Sequence, residues 1–196
     1  MKTIVVPGEK LSSETRFNTY KDNGETFSLV CGVFSENDKG GKIVPIKEKY
    51  IPKIDDQIIG VVSEPKYGGA VIDINSPYSA FLPTKREYKH YEIISASVME
   101  VDETNNPKLG YEKLLTGGEV ISVAPEKIPR IIGKNNSMID AIRNGTGCMI
   151  MVGRNGRIFI ANGDIEKAKQ TIKRVEKEAH KSGLTDEITK FLGEKQ

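Results

Sequence analysis

The sequence predicts an α+β chain of several domains: a small N-terminal β domain over residues 1–50, a small β-barrel over 51–118, and a module of mixed helices and strands over 119–196. Three observations carry this. Residues 51–118 hold short apolar runs at near-regular spacing, punctuated by Gly and Pro, which is the pattern of a small barrel. From Glu119 onward the order reads strand, helix, loop, helix, hairpin, helix. The first fifty residues read as strands only, and so short a piece buries too little to be stable alone, so it is expected to dock on a neighbour.

In the first domain, Val5, Val6, Pro7 and Gly8 read as a strand entering a turn, followed by two more strands around Asp38-Lys39-Gly40-Gly41. The barrel strands are QIIGVVSEP, GGAVIDI, SAFLP and ISASVMEV, whereas PKLGYEKLLTGG shows no clear final strand. Then EVISVA alternates as a strand, and Ile128, Ile131 and Ile132 share one helical face. Ser137 opens a second helix carrying Met138, Ile139 and Ile142. CMIMV and RIFIA flank Asn155-Gly156, a strong hairpin signal. A last helix places Ile165, Ala168, Ile172, Val175 and Ala179 on one face, with its Lys, Arg and Glu residues as a solvated mixed-charge face. After Ser182-Gly183, Leu184, Ile188, Phe191 and Leu192 form a further stripe with Thr185 as N-cap, to pack on the preceding sheet or on a partner.

The residues with binding chemistry fall in two places. Between the two short helices, Pro129 to Ile139 reads PRIIGKNNSMI: Gly133 permits close backbone approach, Lys134 sets a cation at the tip, and the following helix start offers free N–H groups to a phosphate. Arg130, Gly133, Lys134, Asn135 and Asn136 are the candidate contacts there; the plain alternative is an ordinary helix–helix turn. In the barrel, Tyr67, Tyr78 and Phe81 are candidate stacking rings, and Lys66, Lys85, Arg86 and Lys89 candidate phosphate partners, with His90 a further contact. Core packing competes for each aromatic. Tyr67 stands out because it lies between Lys66 and Gly68-Gly69, a turn position with little reason to be buried.

On these motifs the stretch from Glu119 to about His180 resembles a type I KH domain, the single-stranded RNA module whose G-x-x-G loop clamps backbone nucleotides. Asn136 stands where that family has its second glycine; asparagine best tolerates left-handed angles, so the turn survives while its bulk crowds a phosphate. The run IPKIDDQIIGVVSEPKYGGAVIDINSPYSAFLP resembles an S1-type OB-fold barrel. With VVPGE ahead of them, the order resembles one family over almost the whole chain: the RNA-binding cap subunits of the archaeal exosome, of the ribosomal-RNA-processing protein four type. The resemblance implies a non-catalytic subunit that binds single-stranded RNA and guides it into a hexameric ring of RNase PH-like subunits, alongside other copies of itself. It further implies ring docking by the N-terminal domain, for which Val6, Phe17, Tyr20 and Phe34 are candidates. The alternative is a free-standing RNA-binding regulator built from the same modules.

Composition argues against other classes. No apolar run approaches the ~18 residues of a membrane span, and MKTIVVPGEK breaks its apolar start at Pro7-Gly8, so a cytoplasmic protein without membrane contact is expected. Cys31 and Cys148 fall in different predicted domains with only two histidines in the chain, so neither a zinc site nor a disulfide, and no cofactor, is expected. No Ser-His-Asp or Cys-His constellation and no Walker loop is present, and Asp55-Asp56 reads as a turn rather than a Mg²⁺ site. Net charge is only +2, but residues 1–50 hold 8 basic and 7 acidic side chains, 51–118 hold 7 and 10, and 119–196 hold 14 and 10. A net-negative barrel must therefore bind RNA through local clusters and stacking rather than through a general field.

Overall fold

The computed structural model describes residues 2–13, 19–37, 40–45, 49–179 and 183–193. The chain divides into two compact units, Met1–Glu48 and Lys49–Gln196. In the first unit, β1 (Lys2–Val5) pairs antiparallel with β4 (Gly32–Asn37), which pairs with β5 (Gly40–Pro45), while β2 (Thr19–Asp22) and β3 (Glu25–Ser28) form a separate hairpin. Val5, Leu11, Phe34 and Ile43 make its core. The β2–β3 hairpin was not expected, although Asn23-Gly24 supplies its turn: Asn23 takes φ +48° and Gly24 φ +81°. Of the four docking candidates, Phe34 is instead a core residue, because its strand turns that face toward Val5 and Ile43. Val6 is exposed, Tyr20 stacks on Phe27 with ring centroids 5.4 Å apart, and Phe17 lies outside the described residues.

The second unit begins with a five-stranded closed barrel of β6 (Gln57–Lys66), β7 (Gly69–Asp73), β8 (Ala80–Pro83), β9 (Ile93–Val101) and β10 (Pro107–Leu115), in the order β10-β8-β7-β6-β9. One parallel pairing, Lys108 with Phe81, closes an otherwise antiparallel ring. That is the OB-fold arrangement, and closure removes the sheet edges. The interior is filled by Ile58, Val62, Ile72, Ile74, Leu82, Ile94, Val98 and Leu109. The sequence does not announce β10, yet it is a nine-residue strand; register shifts at Lys108/Leu109 and Gly110/Lys113 break its alternation, so no period-two pattern survives. Asp55 sits in a left-handed turn at φ +68°, and the Asp56 carboxylate accepts a 2.8 Å hydrogen bond from Tyr50 Oη, in keeping with a structural turn.

The remainder is a three-stranded antiparallel sheet, β11 (Gly118–Ser122), β12 (Met149–Val152) and β13 (Arg157–Ala161) in the order β11-β13-β12, with α1 (Ile128–Ile132), α2 (Ser137–Thr146), α3 (Ile165–Lys177) and α4 (Leu184–Gly193). Asp164 caps α3 by accepting the Lys167 N–H at 2.9 Å. Ile131, Ile142, Ile150, Ile158, Ile160, Ile172 and Ile188 share one core. Helix α4 starts at Leu184, which puts Thr185 inside the first turn rather than at the cap; its Leu184, Ile188 and Leu192 join the core that the helices share with the sheet, packing chiefly against α2. Phe191 lies under the Arg174 guanidinium, whose Cζ is 5.2 Å from the ring centroid.

Barrel and sheet are joined through the sheet's other face. Phe159 and Ala161 pack with Val120 and Met151 against Ile59, Ile93 and Leu115 of the barrel. At the rim, the tip of the β12–β13 hairpin enters the barrel wall. Asn155 is fully buried: its amide nitrogen donates to Ile59 O at 2.8 Å and Ile74 O at 2.9 Å, and its Oδ1 accepts from Ile59 N at 3.2 Å. The side chain thus pairs with Ile59 as a neighbouring strand would. Gly153 is required beside it, since a Cβ there would strike Asn155 Oδ1 and Ile59 N. Arg154 N–H donates to Gln57 O, and Arg157 grips Asp73 through its backbone oxygen and, at 2.6 Å, its carboxylate.

Asn155→Ala should destabilise this unit by about 2–4 kcal/mol, since it strands buried carbonyls as well as removing three hydrogen bonds. Denaturant melts of wild type and variant measure this, and a change within ~0.5 kcal/mol would show that the joint is not held by this amide. At Asp73, burial raises the carboxyl pKa, but hydrogen bonds from Arg157 and the Asn75 N–H, with the Arg157 charge, outweigh it and hold the group below its usual range. A depressed folded pKa adds stability above the unfolded value of ~3.9 that is lost as pH falls through the folded one. The stability gap between wild type and Asp73→Asn should therefore be full at neutral pH and close in acid; a gap undiminished at about pH 2 would refute the assignment.

Candidate nucleic-acid interface

The tight turn between β6 and β7 carries Tyr67 fully exposed, with Gly68 at φ +79°. Thr84 N–H donates to Gly68 O at 3.2 Å and lays the segment after β8 against this turn. Between them runs a groove of about 720 Å³ lined by Pro65 to Gly69 and Thr84 to Tyr88. It brings together four of the residues expected from sequence: Lys66, Tyr67, Lys85 and Arg86. Lys66 is partly countered by Glu64 at 3.5 Å, a pair exposed on both sides and so weak. Tyr88 anchors the segment in the barrel core, and the Arg86 Cζ lies 5.3 Å from its ring centroid. Burial, and then the Glu112 carboxylate, raise the Tyr88 pKa, so its phenol stays neutral.

Phe81 is not a core residue. It lies on the outer face of β8, 41% exposed, with its ring over Gly69, a position where any Cβ would strike it. On its far side a second groove of about 500 Å³ includes Ser79, Asp102, Asn106 and Lys108. Asp102 organises that loop: backbone hydrogen bonds from Asn106 and side-chain bonds from Thr104 hold its carboxyl below the usual range. Tyr78 is half-buried and lines neither of these grooves, and His90 is exposed beside Tyr91.

The second cluster sits at the junction of α1 and α2. Gly133 closes α1 by donating to Pro129 O at 3.0 Å, and takes φ +77°; a Cβ there would strike the Met138 backbone. Asn135 and Asn136 both hold left-handed angles, φ +51° and +64°, so asparagine does make the turn that a second glycine would. Asn136 makes no side-chain cap, the Ser137 N–H that opens α2 donates to Lys134 O, and Arg130, Lys134, Asn135 and Asn136 are all exposed. Sequence reasoning treated Asn155 only as a turn residue; its buried pairing with Ile59 had no signal beyond the unbroken apolar run of RIFIA, which fits a strand covered on both faces.

Comparison with known proteins agrees with this architecture. A KH domain model matches residues 118–177. Exosome complex component Rrp4 of Methanothermus fervidus is 36% identical, with 97% of this chain aligned to 95% of that protein. The chain belongs to the Rrp4 family of exosome components. The Rrp4 proteins of Methanobrevibacter smithii and Pyrococcus furiosus are 36% and 32% identical, over 97% of this chain and 71% and 83% of theirs. A crystal structure provisionally described as an exosome complex RNA-binding protein superposes with a TM-score of 0.68 at 33% identity, covering 75% of this chain and 97% of that one. Rrp4 membership thus spans both units. Among the described residues no helix is long and apolar enough to cross a membrane, and no group of three or more His, Cys, Asp or Glu is placed to hold a metal.

Proposed function

We propose that this chain is a non-catalytic, RNA-binding subunit of an exosome, which holds single-stranded RNA and guides it into a ring of RNase PH-like subunits. The observation that carries this is the groove in which a fully exposed Tyr67 stands among Lys66, Lys85 and Arg86. Rings supply sequence-tolerant stacking for bases, cations meet phosphates, and nothing in the pairing demands a particular base. Phe81 extends the stacking surface over Gly69. The Gly133–Asn136 turn offers a second grip through Lys134 and the uncapped start of α2, with Arg130 nearby. Its Asn136 side chain crowds the position a phosphate would take in a glycine loop, so the barrel is the main holding surface. Residues 1–50 are the proposed ring contact, with Val6 and Tyr20 exposed for it, and 51–118 and 119–196 the two RNA-binding domains. Relatives bearing the exosome component name support the assembly.

The test mixes the purified chain with a hexameric RNase PH-like ring. The chain is expected to co-migrate with the ring, to speed decay of a single-stranded RNA, and to leave that RNA intact by itself; shortening by the clean chain alone would end the reading. Tyr67→Ala should weaken RNA binding by roughly 1–3 kcal/mol with cooperative unfolding intact. Lys134→Ala should lower affinity across sequences and reduce the salt slope by about 0.7. An unchanged slope removes Lys134 from the contacts.

A further inference from the structure

Among the described residues, nine that are not glycine hold φ in the left-handed region. Seven are Asn or Asp, whose short polar side chains tolerate that backbone. The other two are Tyr91 at φ +65° and Tyr111 at φ +52°. A bulky aromatic there is strained, and neither ring is used to fill the core: Tyr91 is 82% exposed and Tyr111 79%. Every other such position among the described residues is Asn or Asp, so two tyrosines kept in strained backbone with their rings in water, Tyr91 in a turn and Tyr111 at the β10 register shift, point to something outside the chain that those rings meet.

Their neighbourhood indicates what it is. Tyr111 precedes Glu112, whose carboxylate accepts from Thr84 Oγ1 at 3.0 Å, and Thr84 lines the Tyr67 groove. Tyr91 sits near the end of the segment that starts at Thr84: Tyr91 N–H donates to Val62 O at 2.9 Å, while Thr84 N–H reaches Gly68 O, so residues 84–91 are laid along β6. Glu112 and Glu92, adjacent in sequence to the two tyrosines, both act on the Tyr88 phenol that anchors this segment. Lys85, Arg86 and Lys89 are exposed along it. We propose that Tyr91 and Tyr111 are further stacking platforms for single-stranded RNA, carrying the strand beyond Tyr67 with its phosphates along these cations. This rests on the RNA-binding reading above and adds residues to it.

The strain supplies an unusual test, because asparagine should suit the backbone better than tyrosine at both positions. Tyr91→Asn, Tyr111→Asn and the double variant of the full chain are compared with Tyr67→Ala for thermal midpoint and for binding of a labelled oligouridine of about 20 nucleotides. The double variant is expected to melt no lower than wild type, and to bind RNA at least about fivefold more weakly. Unchanged affinity in the double variant, with Tyr67→Ala weakened, overturns this inference and leaves the RNA-binding reading standing. Unchanged affinity in both removes the barrel reading as well. A lowered midpoint in the double variant overturns the inference too, because it shows that the rings pack in the fold.

Discussion

The second unit depends on a single side-chain amide placed inside the barrel wall. Asn155 reaches Ile59 and Ile74 from the tip of the β12–β13 hairpin, and so satisfies backbone groups where the barrel rim meets the sheet. Around that point Phe159 and Ala161 cover Ile59 and Leu115, and Arg157 fastens Asp73. Apolar contact between two sheets is non-directional and would tolerate sliding. The amide pairing is directional, and sets the register in which the apolar faces meet. The groove at Tyr67 and the turn at Gly133 therefore belong to one compact body rather than to two modules on a linker.

The acidic excess of residues 51–118 is deceptive for a similar reason. Several of its carboxylates hold the fold: Asp73 takes Arg157, Asp56 takes the Tyr50 hydroxyl, Asp102 ties its own loop and Glu112 holds Thr84. Lys85 and Arg86, by contrast, stand exposed on the groove. Carboxylates tied to Arg157, Tyr50, Thr84 and Thr104 are engaged within the fold, whereas Lys85 and Arg86 stand on the groove beside the exposed Glu87, so a net count does not describe the local charge that a phosphate would meet there.

Much of this architecture was legible in the sequence, and the exceptions have physical causes. The helices around Gly133 and the hairpin at Asn155-Gly156 follow from periodicity and turn chemistry, because their apolar faces are single and regular. Strand β10 was hidden by its register shifts, and the β2–β3 hairpin by the polar runs TYKD and ETFS, which lack the alternation that would have flagged the Asn23-Gly24 turn. Phe34 looked available because its burial depends on pairing across a sheet. In the candidate groove, the exposure of Tyr67 beside Lys66 was readable from the glycines that follow them. Tyr91 and Tyr111 were not, since backbone handedness at a non-glycine residue leaves no mark in composition or spacing.

The hairpin tip has a consequence for how such proteins diversify. Gly153 and Asn155 belong to one module by sequence, yet their shape is dictated by carbonyls of the other. A chimera that exchanged the C-terminal portion for one lacking this amide would strand the Ile59 and Ile74 oxygens, so exchange at Thr116-Gly117, between β10 and β11, is penalised even though that link is a loop. Barrel and KH portion are in that sense a single heritable block.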